Sequence, residues 1–145
     1  MYEHILVAVA PDHIEDCQDQ LAVAQRLLAE NGRISVLSVV EELPSYVGSY
    51  FPEEQVQESI EMFDAALNKA MPSDRIETHV VSGHPTNMVL NWVRKNSVDC
   101  IVLASHREGL SGLLLGSTAA RVVRHAKCSV VVLREHLKNH APGAS

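Results

Sequence analysis

Residues 99–135 read DCIVLASHREGLSGLLLGSTAARVVRHAKCSVVVLRE, and the order of the parts decides the fold. An apolar run rich in β-branched residues, VDCIVLAS (98–105), leads into a glycine-bearing segment, ASHREGLSGLLLGST (104–118). A helical spacing follows over 117–126, and a second valine run, CSVVVLR (128–134), closes the unit. Short continuous apolar runs are the mark of strands buried on both faces. Strand, loop, helix and strand in that order make one crossover of a parallel sheet.

The same alternation extends back to the first residues. HILVAVA (4–10) reads as a first strand. From Asp12 the period changes: Ile14, Cys17, Leu21, Ala24 and Leu28 form one helical stripe, and Asn31 with Gly32 is the expected stop. RISVLSVV (33–40) is a second strand, followed by a long loop carrying Pro44, Gly48 and Pro52. Val56, Ile60, Phe63, Leu67 and Ala70 predict a helix that ends by Pro72. RIETHVVSG (75–83) is the third strand, and HPTNMVLNWVRKNS (84–97) a helix with Pro85 in its first turn. Five strands with intervening helices predict one doubly wound α/β domain over 1–135. The tail 136–145 lacks an apolar period and is expected to be flexible.

Composition narrows the function. With 145 residues, 46% of them hydrophobic, the chain fits one domain with a substantial core. A formal charge of −6 argues against nucleic acid or an anionic membrane as a partner, since both reward excess Lys and Arg. The three cysteines, Cys17, Cys100 and Cys128, show no CxxC spacing, so neither a disulfide framework nor a zinc site is indicated, and a reducing cytoplasm is the expected location. MYEHILVAVA has neither a basic lead nor a cleavage site, and no apolar run approaches the roughly 20 residues of a membrane span.

The loop 104–118 leaves the carboxyl end of the fourth strand. Gly116 and Ser117 stand where the next helix starts, and free amides with the helix dipole at such a point favour a phosphate. A helix cap at Ser117 and plain turn glycines at Gly109 and Gly112 explain the same residues without a ligand.

The 99–135 segment closely resembles the C-terminal signature of the universal stress proteins, and the resemblance extends over residues 3–134 in element order and length. It implies a five-stranded parallel sheet of order 3-2-1-4-5 with helices on both faces. It also implies an adenine nucleotide, ATP or AMP with Mg²⁺, held by a motif of Gly, two residues, Gly, nine residues, Gly and Ser or Thr. Gly116 and Ser117, with Thr118 next, match the motif's end and are implied to hold the β- and γ-phosphates. Ala104 and Arg107 stand at the two earlier glycines, with Ser105 and His106 between them, and eight residues rather than nine separate Arg107 from Gly116. These departures resemble the branch typified by UspF and UspG, which also reads ASHR. Arg107 offers a guanidinium to phosphate oxygens; a solvated loop arginine is the other reading.

Where the family ends its first strand with Asp beside the adenosine, this chain has Val9, Ala10, Pro11 and Asp12. Ala10 has no side-chain hydrogen bond to give. Asp12 is read either as a shifted substitute or as the cap of the first helix. The resemblance also implies a backbone contact to adenine at Val39, and a homodimer formed by pairing strand 129–134 across a two-fold axis. Such pairing covers an apolar edge that would otherwise invite aggregation.

Other residues carry less. His106 lacks a visible partner carboxylate, no catalytic triad can be assembled, and any hydrolysis or autophosphorylation is expected to be slow and incidental. His136 and His140 suit a solvated tail better than a metal site, and Trp92 suits the core better than a stacking platform. Two functions remain: a nucleotide-binding stress-response or regulatory protein, and a relative that acts only through an unidentified protein partner.

Overall fold

The computed structural model describes residues 1–10, 17–40, 61–62, 65, 75–105 and 117–134. Eight elements are defined among them: β1 Tyr2–Val9, α1 Cys17–Leu27, β2 Leu28–Val40, β3 Ile76–Ser82, α2 Pro85–Lys95, β4 Cys100–Ser105, α3 Ser117–His125 and β5 Ser129–Arg134. The strands form one sheet of order β3-β2-β1-β4-β5, and every pairing is parallel. Of the helix expected over 56–70, only Glu61, Met62 and Ala65 are described, and they are helical. The expected loop after β2 and the tail 136–145 lie outside the described residues.

Side-chain alternation on the strands divides the core into two layers. Ile5, Val7 and Val9 of β1, Ile34 and Val36 of β2, and Cys100 and Val102 of β4 pack with Cys17, Leu21 and Ala24 of α1. Leu6 of β1, Leu37 and Val39 of β2, and Ile101 and Leu103 of β4 pack on the other face, with Val89 of α2 and Ala119 and Val122 of α3. Both faces of the three central strands are thus buried, which is why these strands read as continuous apolar runs rather than alternating ones. Trp92 joins the second layer, as the sequence suggested, its ring centroid 5.8 Å from that of His4 and 5.1 Å from that of His79.

Two boundaries differ from expectation. β1 ends at Val9, one residue before the expected end at Ala10. α1 ends at Leu27, and β2 begins at Leu28 instead of Arg33. Tyr2 pairs with Leu28 and His4 with Arg33, so Ala29–Gly32 bulge out of the ladder. The spacing of Leu28 from Ala24 is helical, yet its pairing with Tyr2, a contact remote in sequence, prevails. Gly32 is needed in the bulge, because a Cβ there would meet the Leu28 Cδ1 at 2.6 Å and the Glu3 carbonyl oxygen at 3.0 Å.

The amino-terminal edge of the sheet is fastened by polar groups. The Asp99 carboxylate accepts the backbone N–H groups of Glu3 at 3.0 Å and His4 at 3.1 Å, joining β1 to the segment before β4. The His4 Nδ1 lies 2.9 Å from the Asn96 carbonyl oxygen, and its Nε2 lies 2.8 Å from the Ser35 hydroxyl. A carbonyl only accepts, so Nδ1 carries the proton and the hydroxyl donates to Nε2 in the neutral ring.

Candidate functional site

In a parallel doubly wound sheet the crevice for ligands opens at the carboxyl ends of the strands, where the strand order reverses. Here β1 and β4 are neighbours, and the chain leaves them toward opposite faces: α1 lies on the first layer, α3 on the second. The reversal point is therefore the β1–β4 seam.

The ladders show the seam parting. β1 and β4 pair at Ile5–Cys100, Leu6–Ile101 and Val7–Val102. Past that point each strand stays paired only on its other side: β1 with β2 through Val9–Ser38, and β4 with β5 through Ala104–Leu133 and Ser105–Arg134. Gln20 of α1, 1% exposed, fills the start of the gap. Its Nε2 donates to the Ala8 carbonyl at 2.9 Å and to the Val102 carbonyl at 3.2 Å, one acceptor on each strand. Both hydrogens of the amide are used, and the nitrogen must face the two oxygens because carbonyls only accept. Sequence reasoning missed Gln20. The available signal was a polar residue next to the apolar stripe of α1, but such a position says nothing of what the side chain reaches.

Seven of the candidate residues are described. Val9, 4% exposed, closes β1, and Ala10 follows it half-buried. Val39 is 6% exposed and pairs with Val81; the next residue, Val40, accepts the Gly83 N–H at 3.0 Å where β3 turns into α2. Ala104 and Ser105 end β4. Ser117 is exposed in the first turn of α3 and Thr118 is half-buried beside it. Val39, Leu103 and Ala119 belong to one buried cluster, so the ends of β2 and β4 and the first turn of α3 come together on the same face. The first amides of a helix lack intrahelical acceptors, and no acidic residue occupies the first turn of α3 to oppose an anion. Pro11, Asp12, His106, Arg107 and Gly116 lie outside the described residues.

The opposite, amino-terminal edge carries an open cavity whose wall includes Glu3, Glu30, Asp99 and Arg33. Three carboxylates against one guanidinium make it a poor place for an anion.

Burial favours the protonated thiol at two of the cysteines. Burial pushes Cys100 up to about 11, with Cys128 and Asp99 adding to the effect, and burial also raises Cys128. Cys17, Cys100 and Cys128 form no disulfide. Among the described residues no cluster of three or more His, Cys, Asp or Glu side chains is placed to hold a metal ion. Among them, too, no helix is long and apolar enough to cross a membrane.

Comparison with known proteins agrees with this architecture. The universal stress protein family matches residues 1–134. Universal stress protein A homolog 2 of Coxiella burnetii is 32% identical over 145 residues, covering 92% of this chain and 95% of that protein. Universal stress protein G of Salmonella typhimurium is 28% identical over 142 residues, covering 92% of this chain and 100% of that protein. The universal stress protein from Archaeoglobus fulgidus, solved in complex with dAMP, superposes with a TM-score of 0.53 at 17% identity, covering 90% of this chain and 97% of that one. At that identity the likeness is one of fold. The family match spans all five strands and the reversal point between β1 and β4, and on that ground the chain belongs to the universal stress protein family.

Proposed function

We propose that this protein binds an adenine nucleotide, ATP or AMP with Mg²⁺, in the crevice between the ends of β1 and β4, and that it acts as a homodimeric stress-response or regulatory protein of the cytoplasm. The parting of the β1–β4 seam carries the reading. Past Val7 and Val102 the two strands no longer pair, and α3 starts on the same edge with an exposed serine. Adenine and ribose would lie against Val9, Ala10, Pro11, Asp12 and Val39. The phosphates would meet Gly116, Ser117 and Thr118 at the helix start, with Ala104, Ser105, His106 and Arg107 along the loop. The dAMP complex of the Archaeoglobus fulgidus relative supports an adenine nucleotide as the ligand class.

The dimer would form through β5. Among the described residues that strand pairs with β4 alone, and its residues Val130–Arg134 are half-buried, so a second strand would cover its outer edge. Light scattering at high micromolar protein should give twice the chain mass; a monomer mass contradicts the dimer.

Ala10 favours a second reading. It follows the last residue of β1 with no side-chain group to hold a ribose, and a chain that has lost the nucleotide would act only through a protein partner. Calorimetric titration with ATP and with AMP, in Mg²⁺, separates the two. Micromolar affinity that disappears in Gly116→Val supports the nucleotide. Absence of heat and of thermal protection at millimolar ATP supports the partner-only reading.

A further inference from the structure

The amide of Gln20 occupies the place where a ladder rung between β1 and β4 would otherwise form. The Ala8 carbonyl lies one residue beyond the last paired position of β1, and the Val102 carbonyl belongs to the last paired residue of β4. One side chain from α1, fully enclosed, thus satisfies an acceptor on each strand at the point where they separate. It bridges the strands and keeps them apart. A buried carbonyl without a donor is unfavourable, so removing the amide leaves two routes: the strands close toward each other, or water enters between them. Either route moves Val9 and Ala10 relative to Ala104 and Ser105.

We propose that Gln20 is a positioning residue that sets the width of the crevice and thereby its fit to the ligand. The proposal rests on the nucleotide reading for its functional consequence; the effect on the strands stands apart from it. Gln20 touches no ligand in this scheme. It acts through the backbones of Ala8 and Val102, which lie within two residues of Val9, Ala10 and Ala104, the residues the nucleotide reading places at the crevice.

Gln20→Met keeps the length and helix preference of the side chain and removes both donors. Hydrogen exchange of the ligand-free protein should quicken in residues 5–10 and 100–105 and stay unchanged in β3. ATP affinity should fall about tenfold. Ile76→Ala, a cavity variant at the far edge of the sheet, is the control: it should lower Tm without changing either readout. Should Gln20→Met not fold, Gln20→Glu serves instead, compared with the wild type at pH 5 and pH 8. A protonated acid can donate one bond and a carboxylate none, so its affinity deficit should be larger at pH 8. If the wild type binds no nucleotide, the ligand reading fails and exchange alone decides the strand-spacing role. Exchange over 5–10 and 100–105 that matches the Ile76→Ala control, or ATP affinity within twofold of wild type in Gln20→Met, overturns the proposal.

Discussion

The Ser35 hydroxyl donates to His4 Nε2 across 2.8 Å, joining β1 to β2 through two buried side chains. With Nδ1–H donating to the Asn96 carbonyl, both nitrogens of a ring only 5% exposed are engaged. The ring is therefore a neutral structural element, and its charge state links folding to pH.

Burial lowers the pKa of His4 below the ordinary 6.5, and Arg33 acts in the same direction; the Asn96 carbonyl, Glu77 and Asp99 oppose them without reversing the shift. Above pH 6.5 the imidazole is neutral in both the folded and the unfolded chain, so stability is at its full value. Below 6.5 the unfolded chain takes up a proton that the folded chain resists, and stability declines until the folded pKa is reached. His4→Gln should cost about 1–3 kcal/mol at pH 7.5 through imperfectly replaced hydrogen bonds. Urea unfolding at pH 7.5 and 5.5 should show a smaller acid loss in this variant than in the wild type. Equal losses would show that His4 does not carry the effect.

Gly83 joins β3 to α2 at φ +145°, a conformation that side-chain-bearing residues rarely adopt. A Cβ there would also lie 3.0 Å from the Met88 Cγ and Sδ, but that flexible side chain can move. The backbone is thus the main cost. Gly83→Ala should lower stability by about 1–3 kcal/mol, read as a drop of several degrees in Tm. An unchanged Tm would sink the strain argument.

Cys100 is fully buried with its thiol pushed up to about 11, and Cys17 is likewise enclosed. Thiolate, not thiol, is the nucleophile. Iodoacetamide at pH 8 should leave both unmodified in the native protein, while all three cysteines react after addition of guanidinium. Mass spectrometry of the intact chain and its peptides gives the answer; native modification of Cys100 would contradict its burial.

Much of the fold was legible along the chain. VDCIVLAS and CSVVVLR announce strands because residues buried on both faces must be apolar without a break, and residues 117–126 change to a helical period between them. The helix start was legible for the same reason: α3 opens at Ser117, where the sequence places it. Residue patterns of this kind are local, set by the backbone period of two or of 3.6 residues.

Sheet neighbours are set by contacts remote in sequence, and there the local pattern has no information. Residue patterning alone could not prove that β1 lies beside β4; the family resemblance implied it, and the structure exhibits it. Leu28 carries the spacing of a helix yet pairs with Tyr2, so β2 starts five residues before its apolar run at Arg33. Gln20 and His4 read as ordinary polar residues, since nothing nearby in the sequence shows that one reaches Ala8 and Val102, or that the other is enclosed by Ser35 and Asn96. Elements and loops follow from the order of residues. The parting of β1 and β4, and the side chain that holds the gap, arise only when the tertiary structure brings distant backbone groups within hydrogen-bonding distance.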